Sequence, residues 1–176
     1  MEIRRAGCDD AAGIANVHVA SWQTTYRGLV PDAAIARRSL ERRLGLWRAT
    51  LCDGGSSAAV HVAVDPDGTV VGFASGGTRE AGPADFTGEL YAIYLLREAQ
   101  GSGLGRRLAA AVAGDLAARG HDAILLWVLA ENLRARRFYA ALGGVVVDRR
   151  WVDFDGTPLE EVAYGWSGTA FRHLAG

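Results

Sequence analysis

The chain has 176 residues, 49% of them hydrophobic and 22% charged, with a formal net charge of −1. That length suits one domain with a single core burying about two-thirds of the unfolded surface. The near-zero charge gives no reason to expect nucleic acid or an anionic membrane as partner. No apolar run reaches the roughly 18 residues of a membrane helix, and the opening MEIRRAGCDD lacks the pattern of a signal peptide. Cys8 and Cys52 are too few for a disulfide framework or a cysteine zinc site, and His18, His61, His121 and His173 lack metal-ligand spacing. A reduced, cytoplasmic protein without metal is expected.

EIRRA (2–6) reads as a first strand, and Asp9 and Asp10 stand where an N-cap and first-turn acids open a helix running to about Trp22. Gly28 and Pro31 break it. Ser39 can cap a second helix with Leu40, Leu44, Trp47 and Leu51 on one face, ended by CDGGSS (52–57). AVHVAV (59–64), the turn DPDG and TVVGFAS (69–75) form a hairpin. A glycine-rich loop (76–88) leads to the strand ELYAIYLL (89–96). The next helix carries Leu104, Leu108, Val112 and Leu116 at four-residue steps and stops at Gly120. AILLWVL (123–129) is continuously apolar, as a strand covered on both faces would be. Asn132 can cap a short helix through Leu142, and a closing hairpin turns at DGTP (155–158). The pattern is mixed α/β: a mostly antiparallel sheet with one β-α-β crossover at its centre.

AQGSGLGRRL (99–108) sets three alternate glycines at the mouth of that crossover helix. A helix N-terminus offers unsatisfied N–H groups and about half a positive charge, and glycines let a pyrophosphate come close. Arg106 and Arg107 in the first turn oppose the helix dipole by roughly 0.3–1 kcal/mol each unless an anion is bound. A P-loop would need Gly-Lys-Ser/Thr, and a dinucleotide fingerprint would need a glycine at position 106; neither register fits.

Gln100-Gly101-Ser102-Gly103-Leu104-Gly105 resembles the acyl-CoA pyrophosphate loop of the GNAT superfamily of N-acetyltransferases. GELYAIYLLREAQGSGLGRRL is similar to that family's fourth strand, loop and third helix, and AENLRARRFYAALGG to its Asn-x5-Phe-Tyr segment. The order of elements over 1–166 fits too, so the resemblance implies a single GNAT-like domain over 1–176. It also implies acetyl-CoA as cosubstrate, with strands 89–96 and 123–129 splayed to admit the pantetheine arm. Main-chain groups of Ile93, Tyr94 and Leu95 would bind that arm, N–H groups of 101–106 the pyrophosphate, and Asn132 the CoA chain. Ser102 stands where many relatives carry a basic or amide side chain.

Direct acyl transfer to an amine needs a base, an oxyanion donor and an acid for the leaving thiolate. The resemblance places Glu89 in the first role, a backbone N–H near Leu95 in the second and Tyr139 in the third. Trp127 stands where ribosomal-protein-type members carry a base glutamate, which argues against that acceptor, and Gly144 replaces a common aromatic. Trp22, Tyr26 and Arg27 are expected to wall the acceptor pocket, with loops 24–38 and 76–88 shaping it for a small-molecule or peptide amine. The resemblance also allows a homodimer. The alternative is a non-catalytic acyl-CoA sensor, which Trp127 favours and Glu89 with Tyr139 opposes.

Overall fold

A computed structural model of the chain describes residues 1–53, 57–79, 83 and 85–176. Seven strands form one sheet in the order β1-β2-β3-β4-β5-β7-β6. They are β1 (Glu2–Arg5), β2 (Ala59–Val64), β3 (Val70–Thr78), β4 (Gly88–Leu95), β5 (Ala123–Leu129), β6 (Val145–Phe154) and β7 (Thr157–Ser167). Every pairing is antiparallel except β4 with β5. The helices are α1 (Ala11–Thr25), α2 (Asp32–Ala36), α3 (Leu40–Cys52), α4 (Leu104–Ala118), α5 (Leu133–Ala141) and α6 (Gly168–Ala175).

One face of the sheet is covered by α4 and α6. Leu104, Leu108, Val112 and Leu116 of α4 are all buried there, against Leu90, Ile124, Leu126, Val162 and Trp166. The four-residue spacing of the sequence thus becomes one helix stripe on one sheet face. The other face is covered by α1 and α3, where Ile14, Val17 and Trp47 pack on Val60, Val62 and Phe73. Strands buried from both sides read as unbroken apolar runs, as AILLWVL does. The face expected of α3 is narrower than predicted, because Leu40 is 46% exposed. Ser39 does cap α3, accepting from the Arg42 N–H at 3.3 Å.

One expectation is corrected, and the structure adds detail at three other places. Cys8 and Cys52 form a disulfide, Cα atoms 4.9 Å apart, so neither is a free thiol. The antiparallel packing of α1 on α3 brings the start of one to the end of the other. Asp10 stands at the N-cap of α1, as expected, but its side chain accepts no N–H of that helix; a 3-10 turn (Cys8–Asp10) precedes α1. Its carboxylate instead takes both Arg4 guanidinium nitrogens, at 2.7 and 2.8 Å, and the Gly7 N–H at 2.8 Å. That clamp holds β1 to the start of α1, and the arginine keeps the Asp10 pKa below the ordinary carboxylate range. The break at 24–38 contains the one-turn α2, which buries Ala34. Past β7 the chain adds α6, which buries Phe171 and Leu174. The expected ends of the 52–57 turn and the 76–88 loop fall partly outside the described residues.

Candidate active site

β4 and β5 pair only at Gly88 with Ile124 and at Glu89 with Leu125. Beyond these residues the two parallel strands part, as expected. The register of β4 on β3 shifts between Ser75 and Gly76, which leaves Tyr91 as an extra residue in β4. Such a bulge turns the strand away from its old line. The opening becomes a cleft of about 410 Å³, with Ile93, Tyr94 and Leu95 on one wall, Leu126 and Val128 on the other, and Gly101, Gly103, Gly105 and Arg106 at its mouth.

Gly101 and Gly103 have φ of +76° and +82°, where a side chain is strained. Gly105 is needed for space, since a Cβ there would lie 3.1 Å from the Phe138 ring. Three glycines therefore serve two purposes. The turn is closed by Gln100, whose amide donates to Leu95 O at 2.9 Å, and by the Ser102 hydroxyl, which donates to Ala99 O at 2.6 Å. At the helix start the first N–H received by a carbonyl of the loop is that of Arg107, with Gly103 O at 3.2 Å. The unengaged N–H groups at this helix start form an anion cradle of the kind a CoA pyrophosphate fits. The side chains of Ser102 and Leu104 stay out of the cleft, Leu104 being core. Arg106 reaches across to Ala141 O at 3.1 Å, tying α4 to the end of α5.

Asn132 is buried on the cleft wall and caps α5 by accepting from the Ala135 N–H at 3.1 Å. Tyr139 also lines the cleft, packed by Phe138, Tyr164 and Trp166 at ring-centroid distances of 5.3, 6.0 and 6.3 Å. Burial pushes its phenol pKa well above the ordinary value, so it is a neutral O–H donor near pH 7.

Glu89 stands at the vertex where β4 and β5 separate, outside the lining of the cleft itself. Leu90 belongs to the core on the α4 side, so the alternation of the strand puts Glu89 on the opposite face. Its carboxylate is 3.8 Å from Arg79 Nε, and the Arg79 side chain is only 4% exposed. Desolvation raises the Glu89 pKa above its ordinary value, partly opposed by Arg79 and Arg150 and aided by Glu161. Arg150 is paired with Glu161 at 2.7 Å and lies over the Trp127 ring at 4.0 Å. The charges around Glu89 thus come from the residue just past β3 and from β6 and β7, at separations no local motif could show. Trp127 carries no proton-accepting group there; it is the platform for Arg150.

Tyr26 lines the cleft, and its hydroxyl is 3.3 Å from that of Tyr94. Trp22 sits behind it, 8% exposed, with ring centroids 4.1 Å apart. Arg27 is exposed and is not among the residues lining the cleft. His18 lies in the buried stripe of α1, stacked on Tyr94 at 5.1 Å. Burial, then the nearby Arg43 and Arg38, hold its pKa down to about 3, so it is neutral at physiological pH. Among the described residues no cluster of His, Cys, Asp and Glu could hold a metal, and no helix is long and apolar enough to cross a membrane.

Splayed central strands, a glycine-lined helix start beside them and a buried tyrosine facing the gap define an acyl-CoA-dependent transferase. The model of the acetyltransferase (GNAT) family matches residues 21–144, and the chain belongs to that family. It is 36% identical over 166 residues to the N-acetyltransferase YuaI of Bacillus subtilis, covering 94% of this chain and 92% of that protein. It is 33% identical over 138 residues to the mycothiol acetyltransferase of Tsukamurella paurometabola, covering 77% of this chain and 44% of that protein. Among solved structures, yncA, a putative acetyltransferase of Salmonella typhimurium with its cofactor acetyl-CoA, superimposes with a TM-score of 0.70 at 25% identity, covering 95% and 93% of the two chains. The protein is an acetyl-CoA-dependent acetyltransferase, with acetyl-CoA as cosubstrate.

Proposed function

We propose that the chain moves the acetyl group of acetyl-CoA directly to a primary amine within a ternary complex. The observation that carries this reading is Glu89 at the strand vertex, with its proton affinity raised by burial. A carboxylate tuned upward is matched to taking a proton from an ammonium near neutral pH, directly or through water. The freed amine nitrogen attacks the thioester carbonyl carbon while the carbonyl oxygen is held by a backbone N–H near Leu95. As the C–N bond forms and the C–S bond breaks, the Tyr139 hydroxyl protonates the departing thiolate.

The pantetheine arm lies between β4 and β5 along Ile93, Tyr94 and Leu95, beside Asn132. The pyrophosphate rests on 101–106, with Gln100 holding the turn. With no acyl-cysteine available while Cys8 and Cys52 are bonded to one another, direct attack is the simpler route. The acceptor enters past Tyr26, under α1 and α2. We read 1–176 as one domain, supported by a single sheet running from Glu2 to Ser167, and place it in the cytoplasm with its acetyl-CoA supply.

The test is Glu89→Gln. The expected kcat/KM falls at least about a hundredfold, with acetyl-CoA affinity unchanged. The rising limb of the wild-type pH profile, set above the ordinary carboxylate range, disappears in the variant. An unchanged rate removes Glu89 from the chemistry.

A further inference from the structure

β6 is the last strand of the sheet, and among the described residues its outer edge meets no other strand. Its hairpin with β7 turns at Asp155 and Gly156, with φ of +59° and +81°, so Phe154 and Thr157 are the hydrogen-bonded pair that closes the turn. Along an antiparallel ladder bonded and unbonded pairs alternate. Val152 and Arg150 therefore give their backbone groups to β7, while Asp153, Trp151 and Arg149 point theirs outward. The Asp148 carboxylate accepts the Arg149 N–H at 2.8 Å, as an outward N–H allows. A bulge at Val147 interrupts the start of the strand, and from Asp148 to Phe154 the register is regular.

Edges that stay single are guarded by charged side chains, proline or closely spaced bulges. Here the two arginines are turned back onto β7, Arg149 to Glu160 at 2.9 Å and Arg150 to Glu161 at 2.7 Å. Trp151, next to them, stands 71% exposed. It lies opposite Glu160, and Arg149 lies opposite the core residue Val162, so Arg149, Trp151 and Asp153 share the α4 side of the sheet. Phe154 and Leu159, on the other side, pack with Trp22 and Val30. Trp151 belongs to neither the cleft lining nor the core. A single exposed aromatic is ordinary; one centred on an unguarded edge, with a cation two residues before it and an anion two residues after it, is self-complementary.

We propose that β6 is the docking edge for a second copy of this chain, the two strands pairing antiparallel about a two-fold axis at Trp151 and joining the two sheets into one. Outward groups bond only with outward groups, so the available registers pair Arg149, Trp151 and Asp153 among themselves. With the axis at Trp151, the two indoles pack on each other and Arg149 faces Asp153 of the partner subunit on both sides of the axis. Opposite charges and aromatic pairs across strands stabilise, and like charges directly opposite destabilise. An axis at Arg149 or at Arg150 would set that arginine against its own copy. An axis at Val152 would set Asp153 against an indole. The Trp151 register alone satisfies every one of these groups, and a two-fold contact of this kind closes at two copies. On the other side of the sheet it brings Val152 of the partner subunit against Arg150, which lies over the cleft-lining Trp127. The pairing stands apart from the acetyl-transfer reading.

The experiment is sedimentation equilibrium of the full-length protein from nanomolar to high micromolar concentration. A reversible monomer–dimer equilibrium is expected, weakened at least about tenfold in Trp151→Lys. Arg149→Asp and Asp153→Arg should each weaken it by about as much, because each places two like-charged pairs across the axis. Mixed in equal amounts, those two variants should recover a dimer of nearly the original affinity, since every facing pair is again opposite in sign. Each variant is first shown to bind acetyl-CoA with unchanged affinity, which verifies the fold at a site the substitutions do not touch. A protein that stays monomeric throughout overturns the proposal, as does a dimer that Trp151→Lys leaves intact. Variants that bind acetyl-CoA but recover no dimer on mixing overturn the axis at Trp151, and with it the proposal.

Discussion

The two faces of the sheet do different work with different materials. On the α4 side the proposed acetyl-CoA site is built chiefly from backbone: parted strands, glycines at positive φ and N–H groups at the start of α4. On the α1–α3 side the groups around Glu89 are side chains gathered from distant elements: Arg79 just past β3, Arg150 on β6 and Glu161 on β7. A backbone site admits any chain with the right glycines, whereas a side-chain site selects. The comparison teaches that, in the proposed reading, the cosubstrate is held by backbone geometry and the acceptor is chosen by side chains that only the fold brings together.

Four perturbations sharpen that division, and each should act on one face. The largest concerns the disulfide, which closes residues 44 apart on the α1–α3 side. The loop-closure entropy removed from the unfolded chain amounts to roughly 4 kcal/mol. Reduction, or Cys52→Ser, should lower unfolding stability by about 2–4 kcal/mol in urea titration and leave the acetyl-CoA affinity of folded protein unchanged. Loss of CoA binding without loss of stability would break the comparison.

Gly103→Val should do the opposite. A β-branched residue at φ +82° is strained, by on the order of 1–3 kcal/mol. Calorimetric titration should show acetyl-CoA binding about ten- to a hundredfold weaker, with α1–α3 stability intact.

His18 tests the acceptor face through pH. Its folded-state pKa of about 3 lies below the ordinary histidine value. The stability it contributes is therefore fully present above the unfolded pKa and is lost as pH falls toward the folded one. Between pH 7 and pH 5 the loss is on the order of 2 kcal/mol, and His18→Phe should flatten that part of the stability profile. Tyr139→Phe is the smallest, with kcat about tenfold lower and acetyl-CoA affinity little changed. The reverse pattern would make Tyr139 a binding residue.

Legibility in the sequence follows the same division. The α4 stripe, the apolar β5, the Asn132 cap and the glycine loop are local patterns, and local patterns survive reading one residue after another. Gly144, noted only as a missing aromatic, shows what does not survive: a Cβ there would lie 2.6 Å from the Trp166 ring, 22 residues on. Trp166 fills that space and donates its indole N–H to Leu142 O at 3.0 Å. The Cys8–Cys52 bond depends on how α1 lies against α3, and the setting of Glu89 on strand order, neither of which is written in periodicity. Arg27, expected to wall the acceptor pocket, is exposed and outside the cleft lining, while Arg38, just past α2, lies over Trp22. Short elements such as α2 and α6 carry too few turns for a repeating signal.

The most direct measurement pairs two readings on one variant: the acetyl-CoA dissociation constant and the pH profile of kcat/KM for Glu89→Gln. The account predicts unchanged CoA affinity, at least about a hundredfold lower kcat/KM and no rising limb. Weakened CoA binding with the limb preserved would contradict it, placing Glu89 with the cosubstrate rather than at the proton.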